Sequence, residues 1–208
     1  ARHEQAEVTI GSETLRTEDG EAPLGYLRVS YDNPSHDMLK VEIQKHADSP
    51  TWGGLFLQSF QALDKISKHK TEISVDKKLY VERPNGQLEA VVGKRPLKVG
   101  DKVIVRLVLS LERDMDYLHV KDLRAACFEP AKQLSGNRRM AGVSFYQEVK
   151  DASMNFFFEF LPRGTHMIDY PLWVNQEGSY QDGIASFQSI YAPAYNAYSQ
   201  AGRVEVER

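Results

Sequence analysis

An all-β fold, arranged as two antiparallel β-sandwich domains with little helix, follows from three features of the sequence. Its apolar residues recur with a period of two, the period at which successive side chains of a strand change faces. Turn-forming clusters separate those runs at the spacing of a sandwich. Only one segment, with Phe56, Phe60 and Leu63 at i, i+4 and i+7, offers helical spacing. So many short strands with one apolar face each are best buried as pairs of packed sheets.

In chain order, Leu27-Val29-Tyr31 and Leu39-Val41-Ile43 alternate as strands, with Asp32-Asn33-Pro34 as the turn between them. The segment from Trp52 to Phe60 is read as a strand in preference to a helix, because Trp52-Gly53-Gly54 opens it and aromatic residues suit a pleated surface. Lys65 to Thr71 is polar, has no sustained apolar face, and reads as a connector. The predicted domains are therefore 1–68 and 72–208, meeting near residues 66–73.

The second domain carries the clearest pattern. Val103, Val105, Leu107, Leu109 and Leu111 fall on one face of a strand delivered by the turn Lys98-Val99-Gly100-Asp101. Met154-Phe156-Phe158-Phe160, Ile168-Tyr170-Leu172-Val174 and Val204-Val206 repeat the alternation. Pro171, which has no amide proton, calls for an edge position or a bulge. Turns are expected at Pro84-Asn85-Gly86, Pro162-Arg163-Gly164, Glu177-Gly178-Ser179 and Gln181-Asp182-Gly183.

Composition narrows the function. The chain has 208 residues, 41% hydrophobic and 26% charged, with a formal net charge of -3. That mixture gives no basic stripe for nucleic acid. The short basic groups Lys68-His69-Lys70 and Arg138-Arg139 read as solvated loops. No run approaches the ~20 apolar residues of a spanning helix, so no direct membrane insertion is expected. Ala1-Arg2-His3-Glu4-Gln5 is polar and unlike a signal peptide. A single cysteine, Cys127, excludes an intrachain disulfide and a multi-cysteine metal site.

Motifs for chemistry are weak. Six scattered histidines lack metal-ligand spacing. Asp114-Met115-Asp116 opens like a calcium loop, but His119 and Ala125 stand where glycine and glutamate are required. The better reading makes Asp114 and Asp116 a polar strand end, with Asp116 and Asp122 free to accept from loop amides. Ser153, His166 and Asp169 can be drawn as a triad, yet Ser153 lacks a nucleophile elbow. Gly53-Gly54 lacks the rest of a phosphate loop. Cys127, among Ala125, Ala126 and Phe128, reads as a buried hydrophobe. No catalytic residue, cofactor or metal is therefore assigned. Aromatic residues are concentrated in the second half and are mostly core, with Phe157 and Trp173 facing outward as candidate contacts.

The wording of several segments adds a resemblance. Trp52-Gly53-Gly54-Leu55-Phe56 with Leu63-Asp64-Lys65-Ile66 resembles a stretch near the carboxyl end of bacterial alpha-2-macroglobulins. Val99 through Leu118, Asp122-Leu123-Arg124-Ala125-Ala126-Cys127-Phe128-Glu129-Pro130, Asn155-Phe156-Phe157-Phe158, Leu161-Pro162-Arg163-Gly164-Thr165 and Tyr191-Ala192-Pro193 resemble that family's last macroglobulin-like domain. The resemblance is to Bacteroides-like members. It implies a macroglobulin-like, immunoglobulin-like domain at 72–208, and at 1–68 a small or partial domain flanking the thioester region of a parent protein. It further implies a broad-spectrum protease inhibitor of the cell envelope or periplasm, held by a lipid anchor outside these residues. The partners so implied are the parent's other domains and the proteases it engages. This stretch would be non-catalytic: the family's Cys-Gly-Glu-Gln thioester is missing, since Cys127 is followed by Phe128-Glu129-Pro130. Trp52, Phe157 and Trp173 are the candidate interdomain or partner contacts. The alternative is an adhesion or carbohydrate-binding β-sandwich, which would present Phe157 and Trp173 as coplanar exposed rings.

Overall fold

The computed structural model describes residues 6–16, 26–46, 48, 50–91 and 96–208. The polar start Ala1–Gln5 lies outside them. The chain divides into two compact units, Ala1–Ser59 and Phe60–Arg208. Among the described residues, all regular structure is β apart from short 3-10 turns at His36–Leu39 and Leu63–Lys65.

In the first unit, β1 (Ala6–Ile10) lies between β2 (Glu13–Arg16) and β3 (Val41–Lys45), antiparallel to both. Gly11 turns the chain from β1 towards β2 with φ of 61°, and its N–H donates to Lys40 O at 3.0 Å. Two expected strands are not formed. Residues 27–31 are irregular; Tyr31 is tied instead through its hydroxyl, which donates to Glu13 of β2 at 2.8 Å. Trp52 to Phe60 is neither strand nor helix. An apolar run becomes a strand only where a sheet edge pairs with it and a second layer covers it. Among the described residues this one has neither.

The second unit opens with β4 (Ile73–Glu82), β5 (Leu88–Ala90), β6 (Leu97–Lys98), β7 (Lys102–Leu111), β8 (Met115–Leu123) and β9 (Phe128–Pro130). It continues through β10 (Gly136–Met140), β11 (Val143–Val149), β12 (Ser153–Leu161) and β13 (Gly164–Val174). It closes with β14 (Gly178–Asp182), β15 (Ala185–Ser189), β16 (Asn196–Tyr198) and β17 (Gly202–Glu207). A five-stranded sheet, β5-β4-β7-β13-β9, faces a six-stranded one, β10-β11-β12-β8-β15-β16. A smaller sheet, β14-β17-β6, includes the parallel pair β17 and β6. Residues ahead of β4 run along β16: His69 and Tyr198 exchange backbone hydrogen bonds of 3.0 and 2.8 Å.

The core follows the alternation closely. Val103, Val105, Leu107, Leu109 and Leu111 are all buried, flanked by Ile73, Val75 and Val81 of β4 and by Ile168, Tyr170 and Leu172 of β13. Each such side chain contributes roughly 1.5–3 kcal/mol by leaving water. Facing them are Leu118, Val120, Phe145, Phe156, Phe158 and Phe187. The outer face of the five-stranded sheet holds the two-pronged pair of Arg106 with Asp169, at 2.9 and 2.7 Å, and Arg106 also lies over the Tyr80 ring.

Three local expectations need correction. Phe160 does not continue the inward row of Phe156 and Phe158; it is half exposed, and Leu161 is buried instead. The cause lies next door: Tyr117 adopts a left-handed backbone (φ 51°), and the alternation of both β8 and β12 changes phase there. Arg138 and Arg139 lie on β10, not in a loop. Gln181 and Asp182 end β14, so the turn falls after them. Pro171 sits on β13, whose ladder to β7 stays intact. Its carbonyl accepts from Ala131 N–H on the far side, just where β9 runs out, so its missing proton faces that margin.

Cys127 is fully buried, and its burial pushes the thiol pKa up to about 11. Thiol labelling of native protein at pH 7.5 should be slow and should rise to the free-cysteine rate in denaturant; fast native labelling would contradict this burial. Leu107→Ala should lower the unfolding free energy by about 3 kcal/mol in urea titration, the cost of removing a large core side chain. A loss below about 1 kcal/mol would mean the two main sheets are not tightly packed over β7.

Candidate functional site

The three residues singled out for contact are presented in different ways. Trp52 is 93% exposed, and its neighbours Phe56 (94%) and Phe60 (100%) are equally bare. Phe157 points outward from β12 but is half-covered: the His119 ring stacks on it with centroids 4.6 Å apart, and Tyr146 lies on its other flank. His119 Nε2 lies 3.1 Å from Asn155 Oδ1, which holds the imidazole over that ring. Trp173 is 44% exposed and points outward from β13, since its neighbours Leu172 and Val174 are buried. Phe157 and Trp173 thus belong to opposing sheets, on outer faces turned away from each other. They do not form a two-ring cleft.

The paper triad is not assembled. Ser153 is buried at the start of β12, His166 meets the Pro162 carbonyl at 2.8 Å, and Asp169 is held by Arg106. Asp114 closes a turn by accepting from Arg163 N–H at 2.7 Å. Asp122, expected to serve loop amides, instead points into the core beside Lys77. Among the described residues no group of three His, Cys, Asp or Glu side chains is placed to hold a metal ion. Among them, too, no helix is long and apolar enough to cross a membrane. A depression in the first unit is lined by Gly11, Ser12, His36, Asp37, Leu39 and Lys40, without a convergent set of polar groups.

One constellation was missed from sequence: Lys77, Asp122, Asp182 and Tyr170 meet in the interior of the second unit. The signal was present. Lys77 occupies the inner row Ile73-x-Val75-x-Lys77-x-Leu79-x-Val81, and Asp122 ends the inner row Leu118-x-Val120-x-Asp122. A charge at an inward position of a period-two pattern must find a buried partner.

Comparison with known proteins agrees with the fold. Trypsin-activated alpha-2-macroglobulin from Escherichia coli superposes with a TM-score of 0.57 at 16% identity, covering 99% of this chain and 14% of that one. A Salmonella alpha-2-macroglobulin mutant gives 0.56 at 14% identity, covering 99% and 13%. A native E. coli piece from domain MG7 to the C-terminus gives 0.55 at 13%, covering 99% and 33%. At such identities the likeness speaks for the fold alone, and the chain spans only 13–33% of the length of these structures. No curated protein sequence matches. The family comparison is decisive: residues 73–194 match the bacterial alpha-2-macroglobulin MG10 domain, which is more than half of the chain. This chain therefore belongs to the bacterial alpha-2-macroglobulin family, whose members are not enzymes.

Proposed function

We propose that this chain is a non-catalytic structural and interaction region from the C-terminal part of a broad-spectrum protease inhibitor of the bacterial cell envelope. The observation that carries the reading is an exposed apolar run in a chain whose sandwich is self-contained. Trp52, Leu55, Phe56, Leu57 and Phe60 are left in water, although the second unit closes its own core. Runs of large exposed apolar side chains mark surfaces made for contact. The occupant we assign is the remainder of the parent chain, since the relatives of known structure are three to eight times longer. Trp173 and the Phe157 platform supply further contacts for the parent's domains.

In this account the division of labour follows the two domains expected at 1–68 and 72–208. The first completes a domain of the parent, and the second is the MG10 sandwich. Relatives solved as trypsin-activated and elastase-activated forms support protease engagement by the parent. The wording of Trp52–Phe56 and Asp122–Pro130 supports a Bacteroides-like parent held in the envelope by a lipid anchor outside these residues.

The test is incubation of residues 1–208 with proteases of several classes, following cleavage of a large protein substrate. The expected result is no protection beyond simple competition as a substrate. Covalent capture needs a thioester, and physical capture needs a larger enclosing body than this one. Stoichiometric protection would place inhibitory capacity in this chain and overturn the reading.

A further inference from the structure

The buried constellation of the second unit has unequal numbers of opposite charges. Lys77 of β4 has a side chain only 3% exposed, and its ammonium lies 2.9 Å from Asp182 of β14 and 3.0 Å from Asp122 of β8. An ammonium has three protons. The three are given to Leu123 O at 2.7 Å, Asp182 Oδ1 at 2.9 Å and Gly183 O at 3.0 Å. Asp122 Oδ1 therefore lies against the positive charge without a hydrogen bond from it, and is a buried oxygen with no donor. Its other oxygen accepts the Tyr170 hydroxyl from β13.

The two carboxylates are not equivalent. Asp182 receives backbone N–H support from Ala125 and Gly183 in addition to Lys77. Asp122 has one phenol and no amide. From its own sheet it faces Met154 and Ala185, its cross-strand partners, which carry no charge. The remaining charged neighbour is Arg124, whose guanidinium serves the carbonyls of Lys150 and Asp151; its charge acts on Tyr170 and Asp122 and also on Asp151 and Glu129. With both aspartates ionised, they carry one more charge than Lys77 supplies, and Arg124 is shared with Asp151 and Glu129.

We propose that Asp122 is an internal proton-binding site, and that the folded sandwich takes up one proton there in mild acid, neutralising its pairing with Lys77 and Asp182 and stabilising the folded state. The titration behaviour of the groups agrees. Burial, against the pull of Lys77, moves the Asp122 pKa from 3.8 to about 6. Burial also raises Asp182, though Lys77 and the amides oppose it. Burial alone would lower Lys77, but the two carboxylates outweigh it and the lysine stays charged. Burial raises Tyr170, with Asp122 adding to the effect, so the phenol remains a donor.

The sign is the reverse of the usual carboxylate case. A folded pKa above the unfolded value means that the native state binds the proton more tightly. The contribution of Asp122 to stability is therefore fully present below about pH 4. It is lost as pH rises through about 6, and is flat above that. The domain should harden where a protein held by ionised carboxylates would loosen.

The experiment is urea unfolding of wild type and Asp122→Asn, a neutral near-isostere, at pH 7.5, 6.5, 5.5 and 5.0. The folded-to-unfolded ratio of wild type should rise about tenfold relative to the variant between pH 7.5 and 5.0. Parallel pH profiles would overturn the proposal. Should Asp122→Asn fail to fold, carboxyl-carbon NMR of aspartate-labelled wild type decides. Titration of the assigned Asp122 carboxyl near pH 6 supports the site, and its titration at or below pH 5 removes it.

Discussion

The inward row of β7 is the constraint on which the second unit is built. Five apolar side chains on alternate positions leave one whole face of a ten-residue strand intolerant of water. β4 and β13 must then flank it with matching rows, and a second sheet must cover all three. The facing residues, Leu118, Val120, Phe156, Phe158 and Phe187, are apolar side chains that pack into that space. Outward from that core stand Trp173 and the His119–Phe157 stack; the segment around Phe56 is bare.

The buried ionic cluster interrupts this apolar interior at one place. Replacing an internal ion group by apolar residues often stabilises a protein, so its presence is weak evidence for stability. What it does supply is registration: Lys77 ties β4 to the carbonyl that ends β8 and to the one just after β14, three segments far apart in sequence. The approach is close at Gly183, where any side-chain carbon would fall 2.3 Å from Leu123 Cβ and 2.6 Å from its carbonyl oxygen. Only glycine lets that carbonyl group and the lysine meet there.

Much of this fold was legible from spacing. β7 and β13 need only their own residues to be recognised, because each carries three or more alternating apolar positions. Legibility ended where a residue's state depends on another segment. Leu27–Tyr31 and Trp52–Phe60 have strand-like composition but pair with no strand among the described residues, which no local pattern reveals. The reversal at Phe160 depends on the left-handed backbone of Tyr117 across the ladder. Of the contact residues, the outward direction of Phe157 and Trp173 could be read from parity. The covering of Phe157 by His119 required the register of β8 against β12. Lys77 and Asp122 were legible as charges on inward rows, although their mutual contact was not.

The central claim is a sandwich sufficient in itself, joined to an apolar segment completed by the rest of the parent. Amide hydrogen exchange on residues 1–208 alone and within the full-length parent tests both halves together. The account predicts slow exchange for residues 102–111 in both samples, and strong protection of 52–60 that appears only in the parent. Equal, rapid exchange of 52–60 in both would contradict it, as would loss of protection at 102–111 in the isolated chain.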